Sequence, residues 1–237
     1  MMDSEVFRFK HFEVAHGRSS MKVGVDAVLL GAWAQKDNPR RILDVGTGCG
    51  VIALILAQRY PMARIEAIDI DADSVEEAAE NFENSPWSRR MQCMYCRFPE
   101  DILKANGKYD LIVSNPPYFN SGISNPSTAR EVARHQGSLS MSSLLEHSAT
   151  LLAEDGHISL IFPAEFRDKA MEVARMNGCN LVRECYVRNN MNRPEKRIMM
   201  EFGKTQTVPQ EEHITLFDGG APSASYLRLC KDLYLKF

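Results

Sequence analysis

No apolar run in the 237-residue sequence approaches the ~20 residues that a membrane-spanning helix needs. Positive charge is not in excess either: 28 Lys and Arg stand against 31 Asp and Glu, a net charge of −3, which excludes a protein coated uniformly for nonspecific nucleic-acid binding. Cysteine is sparse and scattered, at Cys49, Cys93, Cys96, Cys179, Cys185 and Cys230, which does not suit the disulfide framework of a small secreted domain. Cys93 and Cys96 form a CxxC, but no second pair or nearby histidine completes a zinc site. In MQCMYCRF, read as a strand, a spacing of three sends the two thiols to opposite faces, whereas zinc needs convergent ligands. No metal is expected. Low-complexity segments and internal repeats are absent, and MMDSEVFRFKHFEV lacks the basic-then-apolar pattern of a signal peptide, so a cytoplasmic protein is expected.

What is present is ordinary globular composition, 44% hydrophobic and 25% charged. Strand and helix patterns alternate. RRILDVG reads as a strand entering a glycine turn, VIALILAQRY as a helix ended by Pro61, and ARIEAIDI as a second strand. ADSVEEAAENF reads as an amphipathic helix with Asp71 or Asp73 near its start. MQCMYCRF and YDLIVS follow as strands, and SMSSLLEHSATLLAEDG as a helix stopping near Gly156. HISLIFP is a strand, AEFRDKAMEVARMNG a helix, and CNLVRECYVRN and EKRIMMEFG are strands joined by NNMNRP. This succession predicts an α/β fold with a doubly wound, mostly parallel sheet whose last two strands are antiparallel. Before it, VFRFKHFEV alternates like a hairpin strand and VDAVLLGAWA reads as an apolar helix. The tail ends in YLRLCKDLYLKF, where Tyr226, Leu229, Leu233 and Leu235 or Phe237 are spaced to bury one side of an element of undefined type. A single domain is expected over 1–237: an extension (1–38), a core (39–204) and a tail packed on the core (205–237).

Leu43-Asp44-Val45-Gly46-Thr47-Gly48-Cys49-Gly50 follows a strand and opens a helix. Glycines permit a sharp turn and close approach to a ligand. A dinucleotide fold uses GxGxxG with a pyrophosphate on the helix N-terminus; here the spacing is GxGxG, and Asp44 precedes the first glycine by two. A carboxylate there is a poor neighbour for pyrophosphate but suits a cationic ligand such as the amino group and sulfonium of S-adenosylmethionine. The second strand ends at Asp69, an acid placed to accept hydrogen bonds from ribose hydroxyls of either cofactor. A turn that binds nothing remains the bland alternative.

These residues resemble the class I S-adenosylmethionine-dependent methyltransferases. Asp44, Gly46, Gly48 and Gly50 match the family's first motif and Asp69 its ribose acid. The resemblance implies a Rossmann-like, seven-stranded sheet with an antiparallel last strand, and a cofactor site that includes Ile70 beside Asp69. The acid that members often carry after the third strand, on the adenine amino group, is replaced by Arg97-Phe98, with Glu100 and Asp101 slightly later; Phe98 is expected to pack on the adenine ring.

Asn115-Pro116-Pro117-Tyr118 directly follows the strand YDLIVS, at the strand end where open α/β sheets bind ligands. The prolines fix backbone angles and remove two N–H donors, leaving the Asn115 side-chain oxygen and the Pro116 carbonyl as acceptors. Two acceptors on the two N–H groups of a planar exocyclic nitrogen favour a pyramidal nitrogen with its lone pair aimed at a methyl donor. Catalysis then comes from positioning and preorganised dipoles, with Tyr118 stacking the substrate. The motif resembles the amino-methyltransferases of adenine N6, cytosine N4 or protein glutamine, which makes Asn115, Pro116 and Tyr118 the catalytic candidates and adds Asn115 to the cofactor site.

MKVGVDAVLLGAWA (Met21–Ala34), the continuation Phe119-Asn120 and the ending KDLYLKF together resemble the bacterial tRNA1(Val) adenine-N6-methyltransferase family, which modifies the adenosine 3′ of the anticodon. The resemblance implies that Gly24, Val25 and Asp26 contact the cofactor's methionine moiety; a core helix capped by Asp26 is the bland reading of the same stretch. For tRNA, the candidate contacts are Lys22, Arg130, Arg134, Arg188, Arg193, Lys196 and Arg197, with 119–138 a substrate-gated loop. Lys10 and Arg18 extend this surface. His147, His157 and His213 are read as structural or solvated, and Met191, Met199 and Met200 as packing. A monomer with tRNA as partner is expected; a protein-glutamine or other nucleic-acid amino-methyltransferase, or an RNA-binding module without turnover, are the alternatives.

Overall fold

The computed structural model describes residues 6–19, 21–102, 107–116 and 140–236. The chain opens with an antiparallel hairpin, β1 (Val6–Arg8) and β2 (Glu13–Ala15), where Phe9 stacks on Phe12 and Phe7 tilts against Phe9. α1 (Val25–Trp33) is apolar but for Asp26 and buries every residue from Ala27 to Trp33, as befits a helix covered by protein on most sides. Then come β3 (Arg41–Val45), α2 (Val51–Arg59), β4 (Arg64–Asp69), α3 (Ala72–Glu83), β5 (Met91–Tyr95) and β6 (Tyr109–Ser114). They are followed by α4 (Met141–Leu151), β7 (Leu152–Pro163), α5 (Arg167–Met176), β8 (Asn180–Arg188) and β9 (Glu195–Gly203). The tail adds β10 (Gln210–Thr215), a small hairpin of β11 (Phe217–Asp218) and β12 (Ala221–Pro222), and α6 (Ala224–Cys230).

The large sheet has the order β10-β8-β9-β7-β6-β3-β4-β5. β3 through β7 are parallel, and β9 runs antiparallel between β7 and β8. This is the seven-stranded arrangement with an antiparallel last strand. An eighth strand, β10, lies parallel to β8 at the edge; its sequence QEEHIT has five polar positions in six, so no apolar alternation announces it. The two faces are covered by separate cores. One packs α1, α2 and the aromatic hairpin, with Trp33, Leu54, Ile55 and Met199. The other packs α4 and α5, with Leu144, Leu145, Phe162 and Phe202. Cys93 joins the first and Cys96 the second, the opposite-face arrangement expected of them, and among the described residues no cluster of His, Cys, Asp and Glu could hold a metal.

The helix expected to run to Gly156 stops at Leu151. Leu152 is already strand, paired with Tyr109. Gly156 is set by crowding rather than by a helix end: a Cβ there would lie 2.8 Å from Leu152 Cδ1 and 2.9 Å from the Tyr109 carbonyl. In the tail, Tyr226, Cys230 and Leu233 are buried, while Leu235 is exposed and Phe237 lies outside the described residues. Met199 and Met200 pack as expected, but Met191 is exposed in the β8–β9 turn.

Candidate active site

The strand order turns outward in both directions from the β3–β6 pair, β4 and β5 on one side and β7 on the other. Such a switch point leaves a crevice at the carboxyl ends of the strands. Asp44 sits opposite Val113, so the turn after β3 and Asn115 after β6 emerge side by side. Ser114 Oγ donates to the Val45 carbonyl at 2.7 Å and ties the two exits together.

The glycine turn is held by β4: the Gly46 and Thr47 amides donate to the Ile68 carbonyl at 2.9 and 3.1 Å. Gly46, Gly48 and Gly50 all have positive φ. Gly50 is required twice, because a Cβ there would also lie 2.5 Å from Phe82 Cε1. Asp69, the last residue of β4, accepts from the Gly48 amide through Oδ2 (2.9 Å) and from the Asp71 amide through Oδ1 (3.0 Å). Burial pushes its carboxyl up, and these two amides oppose that. Asp71, not Asp73, caps α3, accepting from the Ser74 amide and hydroxyl.

Asp44 is fully buried. Its Oδ2 accepts from the Thr47 hydroxyl at 2.7 Å, while Oδ1 has no partner. Desolvation pushes the carboxyl up to about 7, against the pull of the Thr47 hydroxyl and the Ala53 amide and with a further push from the charge of Asp69. A buried carboxyl oxygen without a donor is costly, and a cationic or N–H-bearing ligand would satisfy it. That observation fits the amino group of the expected cofactor.

The N-terminal extension closes over α3. Glu77 is 1% exposed and accepts from the amides of Gly17, Arg18 and Ser19 at 2.8, 2.9 and 2.8 Å. Burial alone would raise this carboxyl; the amides more than offset it and hold it low. Asn81 accepts from the Ala15 amide and donates to the carbonyls of Ala15 and Cys49, so one side chain joins the extension to the glycine turn. Sequence reasoning passed over Thr47, Glu77 and Asn81. Only Thr47, beside the motif, carried a local signal.

Gly24 is the N-cap of α1, without a side-chain cap. The expected capping by Asp26 does not occur: Asp26 instead accepts from Arg197 Nε at 2.5 Å. Val25 and Ile70 are apolar side chains left exposed, at 41% and 44%. Phe98 lies beyond β5, half-buried and edge-on to His147 with ring centres 6.3 Å apart; Asp101 accepts from the Arg97 amide. Pro116 is buried and Asn115 half-buried. Pro117, Tyr118, Arg130, Arg134 and the 119–138 loop lie outside the described residues.

Among the basic candidates, Lys22, Arg193 and Lys196 are exposed. Arg188 donates to Thr215 Oγ1 at 2.8 Å. Arg18 is engaged by Glu76, Glu77 and Glu80. β8 ends and β9 begins at the carboxyl edge, as the pairing of Arg197 with Pro163 at the end of β7 requires, so the turn bearing Arg193 shares that edge with Asn115.

The strand order, a glycine turn flanked by Asp44 and Asp69, and Asn115 at the switch point define a class I methyltransferase. A family model for the methyltransferase small domain matches residues 19–184. The tRNA1(Val) (adenine(37)-N6)-methyltransferase of Parabacteroides distasonis is 44% identical over 237 residues, 99% of this chain and 100% of that protein. Its namesake from Vibrio vulnificus is 40% identical over 97% of this chain and 95% of its own length. A crystal structure of a predicted O-methyltransferase from Agrobacterium tumefaciens shares the fold, with a TM-score of 0.67 at 15% identity over 88% of this chain and 96% of that one. The chain therefore belongs to the methyltransferase small domain family and, within it, to the family of the tRNA1(Val) (adenine(37)-N6)-methyltransferases.

Proposed function

We propose that the protein transfers a methyl group from S-adenosylmethionine to N6 of an adenosine in tRNA, the one beside the anticodon of a valine tRNA. The observation that carries this reading is the meeting of Asp44, Asp69 and Asn115 on one sheet edge, with Asp44 Oδ1 buried and unpartnered. The full-length relatives named for that reaction support the choice of substrate.

The bound cofactor supplies an electrophilic methyl on a cationic sulfur. In this reading Asp44 takes the methionine amino group directly or through water, and Asp69 the ribose hydroxyls. Gly46, Gly48 and Gly50 let the backbone come close, and Gly24, Val25 and Asp26 line the methionine end. Ile70 and Phe98 flank the adenine. The Asn115 side-chain oxygen and the Pro116 carbonyl each accept one N–H of the target amine, which aims its lone pair at the methyl group. No side chain need remove a proton before attack, because the amine becomes acidic only once methylated. Tyr118 stacks on the extruded base. Lys22, Arg130, Arg134, Arg188, Arg193 and Lys196 hold phosphates. We read the chain as one domain whose extension (1–38) covers the cofactor and whose tail (205–237) packs on the core, a reading supported by the bonds of Glu77 and Asn81 and by the burial of Tyr226 and Leu233. It acts as a monomer in the cytoplasm, beside its tRNA.

Nucleoside analysis of tRNA from cells lacking the protein tests the proposal. Loss of N6-methyladenosine at one site beside the anticodon is expected; tRNA with an unchanged nucleoside profile would contradict it.

A further inference from the structure

α1 is clamped along β9 at both ends. Arg197, Met199 and Glu201 alternate along β9 and so share a face; Met199 is fully buried in the core that contains α1. At one end Arg197 Nε donates to Asp26 Oδ2 at 2.5 Å. At the other, Glu201 Oε2 accepts from the Gln35 amide at 3.0 Å and from Ser159 Oγ at 2.7 Å. Arg183, held by Glu201, donates to the Trp33 carbonyl at 2.6 Å and lies 3.9 Å over the Trp33 ring.

The helix rises about 10.5 Å from Asp26 to Trp33, and Ala34 then leaves it with extended backbone, which carries the Gln35 amide to Glu201, about 13 Å along β9 from Arg197. The two anchors thus hold opposite ends of α1 against one strand. Arg59, the last residue of α2, donates to the carbonyls of Gly31 and Ala34 at the end of α1. At the other end, Asp26 meets Arg197, which pairs with Pro163 at the carboxyl end of β7, so the N-terminus of α1 lies on the same carboxyl edge as the glycine turn that opens α2. Burial pushes the Asp26 carboxyl up, and Arg197 opposes that push.

We infer that Arg197 is a positioning residue for the cofactor site: through Asp26 it fixes the start of α1, and with it residues 21–24, beside the glycine turn, and it does not serve as a phosphate contact. This rests on the cofactor reading given above.

The test pairs calorimetric binding of S-adenosylhomocysteine with steady-state kinetics and tRNA binding for Arg197→Gln, Arg197→Lys, Asp26→Asn and the double variant Asp26→Asn/Arg197→Gln. Arg197→Gln should weaken S-adenosylhomocysteine binding and raise the KM for S-adenosylmethionine about tenfold, while saturating kcat and tRNA affinity stay within about twofold. Arg197→Lys should recover part of the affinity, and the double variant should bind no worse than the weaker single one, as coupled residues do. Two outcomes would overturn the inference. One is Arg197→Gln binding S-adenosylhomocysteine like the parent. The other is Arg197→Gln losing tRNA affinity and about one unit of salt slope with cofactor binding intact. If the parent protein itself fails to bind S-adenosylhomocysteine, the cofactor reading falls, and this inference with it.

Discussion

Asp44 is held in a state that costs the fold stability. Its carboxyl, raised to about 7 by burial, keeps its proton in the folded protein at pH values where the unfolded chain, near 3.8, has lost it. More protons are bound folded than unfolded, so this group makes the free protein lose stability as pH rises from about 4 to about 7. Asp44→Asn should flatten that part of the slope, raise Tm near pH 8 in the absence of ligand, and abolish cofactor binding; thermal unfolding against pH, compared with the parent, checks it. The same titration requires cofactor affinity to strengthen between about pH 6 and pH 8 as the carboxylate forms. Asn115→Ala should lower kcat by about a hundredfold or more, with cofactor affinity kept within about twofold; full turnover in single-turnover assays would remove Asn115 from the chemistry. Asp44, the glycines and Asn115 were legible in the sequence because turn and strand-end motifs are local. Glu77 and Asn81 were not, since their partners lie 32 to 66 positions away and an acid or amide on an exposed-looking helix carries no mark of what will cover it.

At the scale of elements, the βα succession could be read because each strand and helix buries a periodic apolar face. The misreadings fall where burial and periodicity part company. The 140–156 segment has helical composition throughout, yet Leu152 is drawn into the sheet by pairing with Tyr109. β10 is too polar to signal itself, since as an edge strand it buries only Ile214 fully. The extension is held in part by one buried carboxylate. Glu77 is held low by three amides, so its contribution is present above about pH 4.5 and is lost as pH falls through its lower folded value. Glu77→Gln should leave the fold intact but speed hydrogen exchange at the amides of Gly17, Arg18 and Ser19 about tenfold, the equivalent of one charge-assisted bond; unchanged exchange would mean that Asn81 and the aromatic hairpin hold the extension without it. Gly50→Ala meets both a positive φ and the Phe82 ring. It should cost about 2 kcal/mol or more in denaturant unfolding and weaken cofactor binding.

Across the whole molecule, the mild acidity conceals an uneven distribution. Residues 65–83 contain eight acids and no Lys or Arg; setting their −8 aside from the total of −3 leaves +5 for the rest of the chain. Glu77 among them is consumed in holding the extension and Asp69 faces the turn, so part of this acidity is spent within the fold and the basic excess lies elsewhere in the chain. The exposed Arg193 and Lys196 lie on the same carboxyl edge as Asn115. Arg193→Ala should weaken tRNA binding and reduce the salt slope by about one, without touching cofactor affinity. Methyl transfer itself is read by incubating the purified protein with methyl-labelled S-adenosylmethionine and unmodified valine tRNA, followed by nucleoside digestion. Label is expected in N6-methyladenosine at the single adenosine 3′ of the anticodon, with loss of that label in Asn115→Ala. Protein that binds the cofactor yet leaves the tRNA unlabelled would contradict the proposed function.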